Sequence, residues 1–203
     1  EIIARMNKLG MIVDISHVGE ATFWDAINTT TKPVIASHSN AYTICPVTRN
    51  LKDDQIKAIA KNGGVIMVNF HPGFIDPKFD TKESDFLKKH AKESDALKKS
   101  GLDDWNVLDA LYKKYNTEVQ ALRPPLSMLM NHFDYIVKLV GVDYVGLGSD
   151  FDGINLTPKQ LDDVTTYPII TKALVDRGYN EKDIVKILGS NFIRVLKANE
   201  VNN

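Results

Sequence analysis

The chain of 203 residues carries 25 basic and 26 acidic side chains, a formal net charge of −1, so no overall field draws it to nucleic acid or to an anionic membrane surface. Apolar residues at 43% and charged residues at 25% are those of an ordinary globular protein, with enough chain to enclose a core. A single cysteine, Cys45, excludes an internal disulfide and a thiolate metal cluster, and no apolar run approaches the ~20 residues of a membrane-spanning helix.

Glu1-Ile2-Ile3-Ala4-Arg5-Met6 reads as the middle of an amphipathic helix, with neither an initiator Met nor a leader pattern, and the expectation is a piece of a longer protein. The helical reading runs over residues 2–9 and stops at Gly10. Met11-Ile12-Val13-Asp14-Ile15 is a short β-branched run ending at Ser16-His17, and a helix follows at about 20–28. Pro33-Val34-Ile35-Ala36 predicts a second strand, ending at Ser37-His38-Ser39-Asn40. Residues 53–61 predict a helix opened by Asp53 or Asp54 and closed by Asn62-Gly63-Gly64. Val65 to Phe70 is a third, almost wholly apolar strand, as suits a strand covered on both faces.

Residues 76–123 are charged, with three Lys-Lys pairs and similar pieces at Lys82-Glu83-Ser84-Asp85 and Lys92-Glu93-Ser94-Asp95. Helices are expected there, above all over 104–115, but the stretch reads as an insertion rather than core. Beyond Pro124-Pro125, residues 126–140 predict a strong amphipathic helix, and Tyr144 to Ser149 a fourth strand ending at Asp150-Phe151-Asp152-Gly153. Helices at about 167–177 and 180–198 finish the chain. Strand–helix alternation implies βαβ crossovers and a parallel sheet in an α/β fold. Four strands suit a small open sheet or half of a (β/α)8 barrel, whose full length is typically ~250 residues.

Three of the four strands end in a chemically capable residue: His17, His38 and Asp150. Functional side chains gather at C-terminal strand ends in barrels and open sheets alike, and a neutral imidazole there is a good zinc ligand. One such histidine is more often a core or capping residue; two at equivalent ends of consecutive strands, with Asp150 at a third, favour a site. Arg49, in Thr48-Arg49-Asn50, is either a surface loop residue or a clamp for a substrate carboxylate. Asp152 reads as a turn former before Gly153, and His71, followed by Pro72-Gly73, as a pocket or loop residue. His90 and His132 fall in helices and read as structural or exposed. Gly146, Gly148 and Gly153 lack dinucleotide-binding spacing. Cys45 has no base beside it and reads as packing.

The stretch Leu9-Gly10-Met11-Ile12-Val13-Asp14-Ile15-Ser16-His17-Val18, followed by Pro33-Val34-Ile35-Ala36-Ser37-His38-Ser39-Asn40-Ala41, resembles the membrane dipeptidase (renal dipeptidase-like) metallopeptidases. The likeness continues through Arg49 to Asp54, Gly63 to Phe70, Gly146 to Gly153 and Gly189 to Val195, leaving 76–123 as a charged helical insertion. It implies the C-terminal half of a (β/α)8 TIM barrel of the amidohydrolase-like type, with residues 1–203 one portion of a single barrel domain. It further implies two zinc ions in the complete site, with His17 and His38 as ligands of one of them. Arg49 becomes a substrate contact, Asp150 both the proton-transfer group and a substrate contact, and Phe74 a pocket-lining residue. The substrate class implied is a dipeptide.

The family's remaining ligands, a His-x-Asp pair and a metal-bridging Glu, have no counterparts here. Asp14 lies three positions before His17 in one strand and is expected on the opposite face. The chain alone is therefore expected to hold at most one ion weakly and to be inactive, and its two open sheet edges to favour association with the missing barrel half or with another copy. Two other readings stand beside the dipeptidase: another amidohydrolase-type metal hydrolase, such as a deaminase or lactonase, or a non-catalytic half-barrel.

Overall fold

The structure, a computed structural model, describes residues 1–201. Helices α1 (Ile2–Leu9) and α2 (Glu20–Thr29) precede strand β1 (Ile35–Ala36), and α3 (Asp53–Lys61) leads to β2 (Val65–Val68). Four helices follow: α4 (Phe79–Lys89), α5 (Ala91–Lys99), α6 (Asp104–Lys114) and α7 (Asn116–Val119). Then come α8 (Leu126–Val140), β3 (Val145–Leu147), α9 (Tyr167–Asp176), α10 (Glu181–Val185) and α11 (Asn191–Asn199). The strands pair in parallel in the order β1-β2-β3, with Ile35 opposite Val65 and Ile66 opposite Val145. This is an α/β fold in which helices supply every connection between a small set of parallel strands.

The continuous apolar run of β2 reflects its place in the middle: Val65, Ile66 and Val68 are fully buried. Around it pack Ile56 and Ile59 from α3, Leu129, Phe133 and Ile136 from α8, and Ile170 and Leu174 from α9, all solvent-inaccessible. Burying each side chain of this size stabilises by ~1.5–3 kcal/mol, so these helix faces hold the sheet in place.

Two expected elements differ. Residues 11–15 do not form a strand; they make a single parallel bridge, Asp14 to Ile35. Ile15 N donates to Ile35 O at 2.9 Å and Ile35 N donates to the Val13 carbonyl at 3.0 Å. The ladder stops there because the chain turns at Ser16–His17, and the Asp14 carboxylate takes the Ser16 N–H at 3.0 Å. The expected helix over 180–198 is broken by a π-type turn at Lys186–Ser190, with non-helical backbone at Gly189. Buried Asn191 explains the break: its Nδ2 donates to the carbonyls of Val142 and Val145 at 2.7 and 2.8 Å, pinning the start of α11 to the root of β3.

The charged stretch after β2 has a core of its own. Phe79, Phe86, Val107, Leu111, Tyr112, Val119 and Leu122 are buried together, apart from the main cluster. Arg123 then clasps the loop beyond β3, donating to the carbonyls of Thr157 and Pro158 at 2.9 and 2.7 Å and pairing with Asp162 at 2.6 Å.

Candidate active site

The segments after Ile15, β1, β2 and β3 meet at one end of the sheet. His17 lies just past the Asp14 bridge and His38 two residues past β1, and their Nε2 atoms approach to 2.6 Å. The rings are tilted by 54° with centroids 4.7 Å apart. His17 is exposed and His38 half-buried. Burial lowers the His38 pKa below the ordinary value of 6.5; Arg49 and His17 push the same way, while Asp150 and Asp14 oppose. The result is an imidazole that is neutral near pH 7.

Arg49 reaches this pair from the loop before α3. One guanidinium nitrogen donates to the Ser16 carbonyl, another stands 3.3 Å from His17 Nε2, and the group lies over the Phe74 ring at 5.3 Å. Burial lowers its pKa, against the opposing pull of Asp150 and Asp14. A cleft of about 500 Å³ opens beside His17 and Arg49, with Phe23, Tyr42 and Lys52 in its wall.

Asp150 completes the set three residues past β3. Its φ of 62° is left-handed, a conformation that Asp tolerates better than most residues and that concentrates at functional sites. Asn69 Nδ2 donates to Asp150 Oδ2 at 3.1 Å. Gly153 closes the turn, donating its N–H to the Asp150 carbonyl at 2.9 Å; a Cβ there would stand 2.3 Å from Asp150 Oδ1. Gly148, at the end of β3, allows an equally close approach, since a Cβ would meet the Ser37 carbonyl at 2.2 Å. Asp152 is exposed in the turn, in keeping with its reading as a turn former.

Sequence reasoning missed the asparagines that hold these loops together. Fully buried Asn40 donates to the carbonyls of Asn69 and Phe74 at 3.1 and 3.2 Å and accepts the Asn69 N–H at 2.7 Å. Asn50 Nδ2 donates to the Cys45 and Phe74 carbonyls at 2.8 and 2.9 Å. The available signal was position: Asn69 follows β2 directly, Asn50 follows Arg49 directly, and Asn40 lies two residues past His38. Asp14 was also misplaced. Rather than turning away, its carboxylate accepts from Ser37 Oγ at 2.5 Å, and Ser37 Oγ lies 2.6 Å from His38 Nδ1. Strand alternation fails as a guide here because the extended backbone ends at Ile15.

The other sequence-selected residues lie outside this cluster or at its margin. The His71 ring stands edge-on to Phe74 and Phe79, with centroids 4.7 and 5.7 Å away, and burial lowers its pKa. His132 is fully buried in α8, and His90 stacks on Tyr115 at the junction of α4 and α5. Cys45 is buried, with its thiol pushed up to about 11 by burial and by Asp76 and Asp80, as befits a packing residue.

Imidazole nitrogen is a common zinc ligand, and the His17 and His38 Nε2 atoms, 2.6 Å apart, offer two such donors to one ion. Among the described residues no group of three or more His, Cys, Asp or Glu side chains converges on a common metal position.

A family model described as membrane dipeptidase (Peptidase family M19) matches residues 1–203. An uncharacterised protein from the pqqA 5′ region of Klebsiella pneumoniae is 35% identical over 197 residues, which is 97% of this chain and 58% of that protein. Dipeptidase aclJ of Aspergillus oryzae is 34% identical over 195 residues, 96% of this chain and 36% of that protein. Among solved structures, a metallo peptidase from Rhodobacter sphaeroides, liganded with a phosphinate mimic of the dipeptide L-Ala-D-Ala, superposes with a TM-score of 0.74 at 26% identity. That match covers 98% of this chain and 45% of the Rhodobacter chain. The chain thus spans only 58% and 36% of the two curated relatives. With the family model matched from end to end, the chain belongs to the membrane dipeptidase family.

Proposed function

We propose that this chain forms the C-terminal half of a (β/α)8 barrel that hydrolyses dipeptides with two zinc ions at its strand ends. Residues 76–123 are a charged helical insertion on that barrel. The observation that carries the reading is the meeting of His17 and His38, Nε2 to Nε2 at 2.6 Å, beside Arg49 in a chain of this family. The dipeptide mimic bound by the Rhodobacter relative supports the substrate class.

Zinc, when bound, polarises the peptide carbonyl and makes water acidic enough to ionise near neutral pH. His17 and His38 hold one ion from this side. Asp150 takes the proton of the attacking water and returns it to the leaving amine. Asn69 fixes Asp150 Oδ2 and so orients the carboxylate for both transfers. Arg49 is anchored on Ser16 and lies over Phe74, so its guanidinium is held in place before substrate arrives. It clamps the free carboxylate of the substrate, which selects peptides whose C-terminus lies one residue beyond the cleavage point. Because catalytic zinc takes three protein ligands, the two histidines alone hold an ion weakly, and residues 1–203 by themselves do not turn over dipeptides.

The test is dipeptide hydrolysis by the barrel assembled from this chain and the residues encoded upstream of it. Asp150→Asn is expected to lower kcat by about 10²–10⁴-fold, the range of a lost general acid–base group, while KM changes little. Undiminished activity in Asp150→Asn, or turnover of cyclic amides or lactones in place of dipeptides, contradicts the assignment.

A further inference from the structure

The Asp14 carboxylate is surrounded by donors. Its Oδ1 accepts from Ser16 N at 3.0 Å and Ser37 N at 3.1 Å, and its Oδ2 from Ser37 Oγ at 2.5 Å. A carboxylate accepts and has no proton to give, so the single hydroxyl proton of Ser37 is committed to Asp14. Ser37 Oγ also touches His38 Nδ1 at 2.6 Å. With its own proton used, that oxygen can only accept there, which requires the proton of the neutral His38 ring to sit on Nδ1. The Nε2 lone pair of His38 then points at His17 Nε2, 2.6 Å away. A guanidinium likewise only donates, so Arg49, 3.3 Å from His17 Nε2, faces a lone pair on that ring too. Two lone pairs are brought together, an arrangement that a cation relieves. The backbone reinforces it: His38 N donates to Ser16 Oγ at 2.9 Å, and the Ser37 carbonyl packs where only Gly148 leaves room.

We propose that Asp14 and Ser37 are positioning residues, a carboxylate–hydroxyl relay that holds the His38 proton on Nδ1 and leaves Nε2 open as a ligand for a divalent cation. The relay rests on the reading of His17 and His38 as a metal pair only for its last step; the tautomer is a property of the metal-free chain. Hydrogen-bonded partners of this kind orient ligating imidazoles and raise their basicity, and their loss typically costs 10–100-fold in metal affinity.

The experiment records ¹⁵N shifts of the His38 ring in the metal-free 203-residue chain, then titrates the same samples with zinc. The parent is expected to show the Nδ1–H tautomer. Ser37→Ala and Asp14→Ala are expected to give a mixture of tautomers and a 10–100-fold weaker zinc affinity, and Ser37→Thr, which keeps the hydroxyl, is expected to restore both. An Nε2–H tautomer in the parent overturns the proposal. So does an unchanged tautomer in Ser37→Ala, or a changed one with zinc affinity unaltered. Absence of zinc binding in every sample, with the tautomer responding as expected, counts against the metal reading and leaves the relay standing.

Discussion

At the scale of single residues, the site depends on short polar contacts at the ends of very short strands. His17, His38, Arg49 and Asp150 could be picked out as candidates because each is a chemically capable side chain in a loop that follows a strand or bridge. Their partners could not. Nothing in a periodicity marks Asp14 as touching Ser37 or Ser37 as touching His38, because those contacts form where the extended backbone ends. Gly153 offers a sharp test of the geometry around Asp150. Its exposed position and ordinary φ leave alanine free to fit the backbone, yet the new Cβ would crowd Asp150 Oδ1 from 2.3 Å. The far end of a side chain moves cheaply, so the carboxylate should swing off Asn69 while the fold stands. Gly153→Ala in the assembled barrel is expected to lose at least about tenfold in kcat, ~1.4 kcal/mol of transition-state stabilisation, with its melting temperature nearly unchanged. Full activity in that variant, measured beside a thermal melt, contradicts the role given to the turn.

At the scale of elements, α8 shows how a buried polar residue links helix and loop. His132 has no exposed surface; its Nδ1 accepts the Ala41 N–H at 3.2 Å, tying α8 to the loop that follows His38. Burial drives its pKa down from 6.5 to about 4, so the folded state keeps the ring neutral over a range in which the unfolded chain binds a proton. Stability contributed by the neutral ring is complete above about pH 6.5 and is lost as pH falls toward 4, because the unfolded state takes up more protons throughout that window. Urea unfolding at pH 7 and pH 4.5 should therefore differ by about 2–3 kcal/mol more for the parent than for His132→Asn, whose side chain does not titrate there. An equal pH effect in both would show that His132 does not carry it. The helix itself was plain from its apolar stripe; the burial of His132 was not, since one polar residue on such a stripe says nothing of what lies across from it. The break before α11 was hidden for a similar reason, as Asn191 acts through carbonyls about 46–49 residues away in sequence.

At the scale of the whole molecule, the order of strands and helices was readable because central parallel strands are apolar on both faces and the helices between them are amphipathic. What the pattern overstated was strand length: the expected first strand is one bridge, and β1 has two residues. The charged region concealed a core of its own because Phe79, Phe86, Leu111 and Tyr112 are diluted by lysines and acids and meet only when four helices pack. Its clasp through Arg123 fastens that region to Thr157 and Asp162 in the loop beyond β3. The central claim is that His17 and His38 are one face of a metal site. It is tested most directly by calorimetric titration of the 203-residue chain with zinc, alongside His17→Ala, His38→Ala and the double variant. The account predicts one weak site per chain in the parent, abolished by either substitution. No binding by the parent, or a double variant that binds zinc as the parent does, would contradict it.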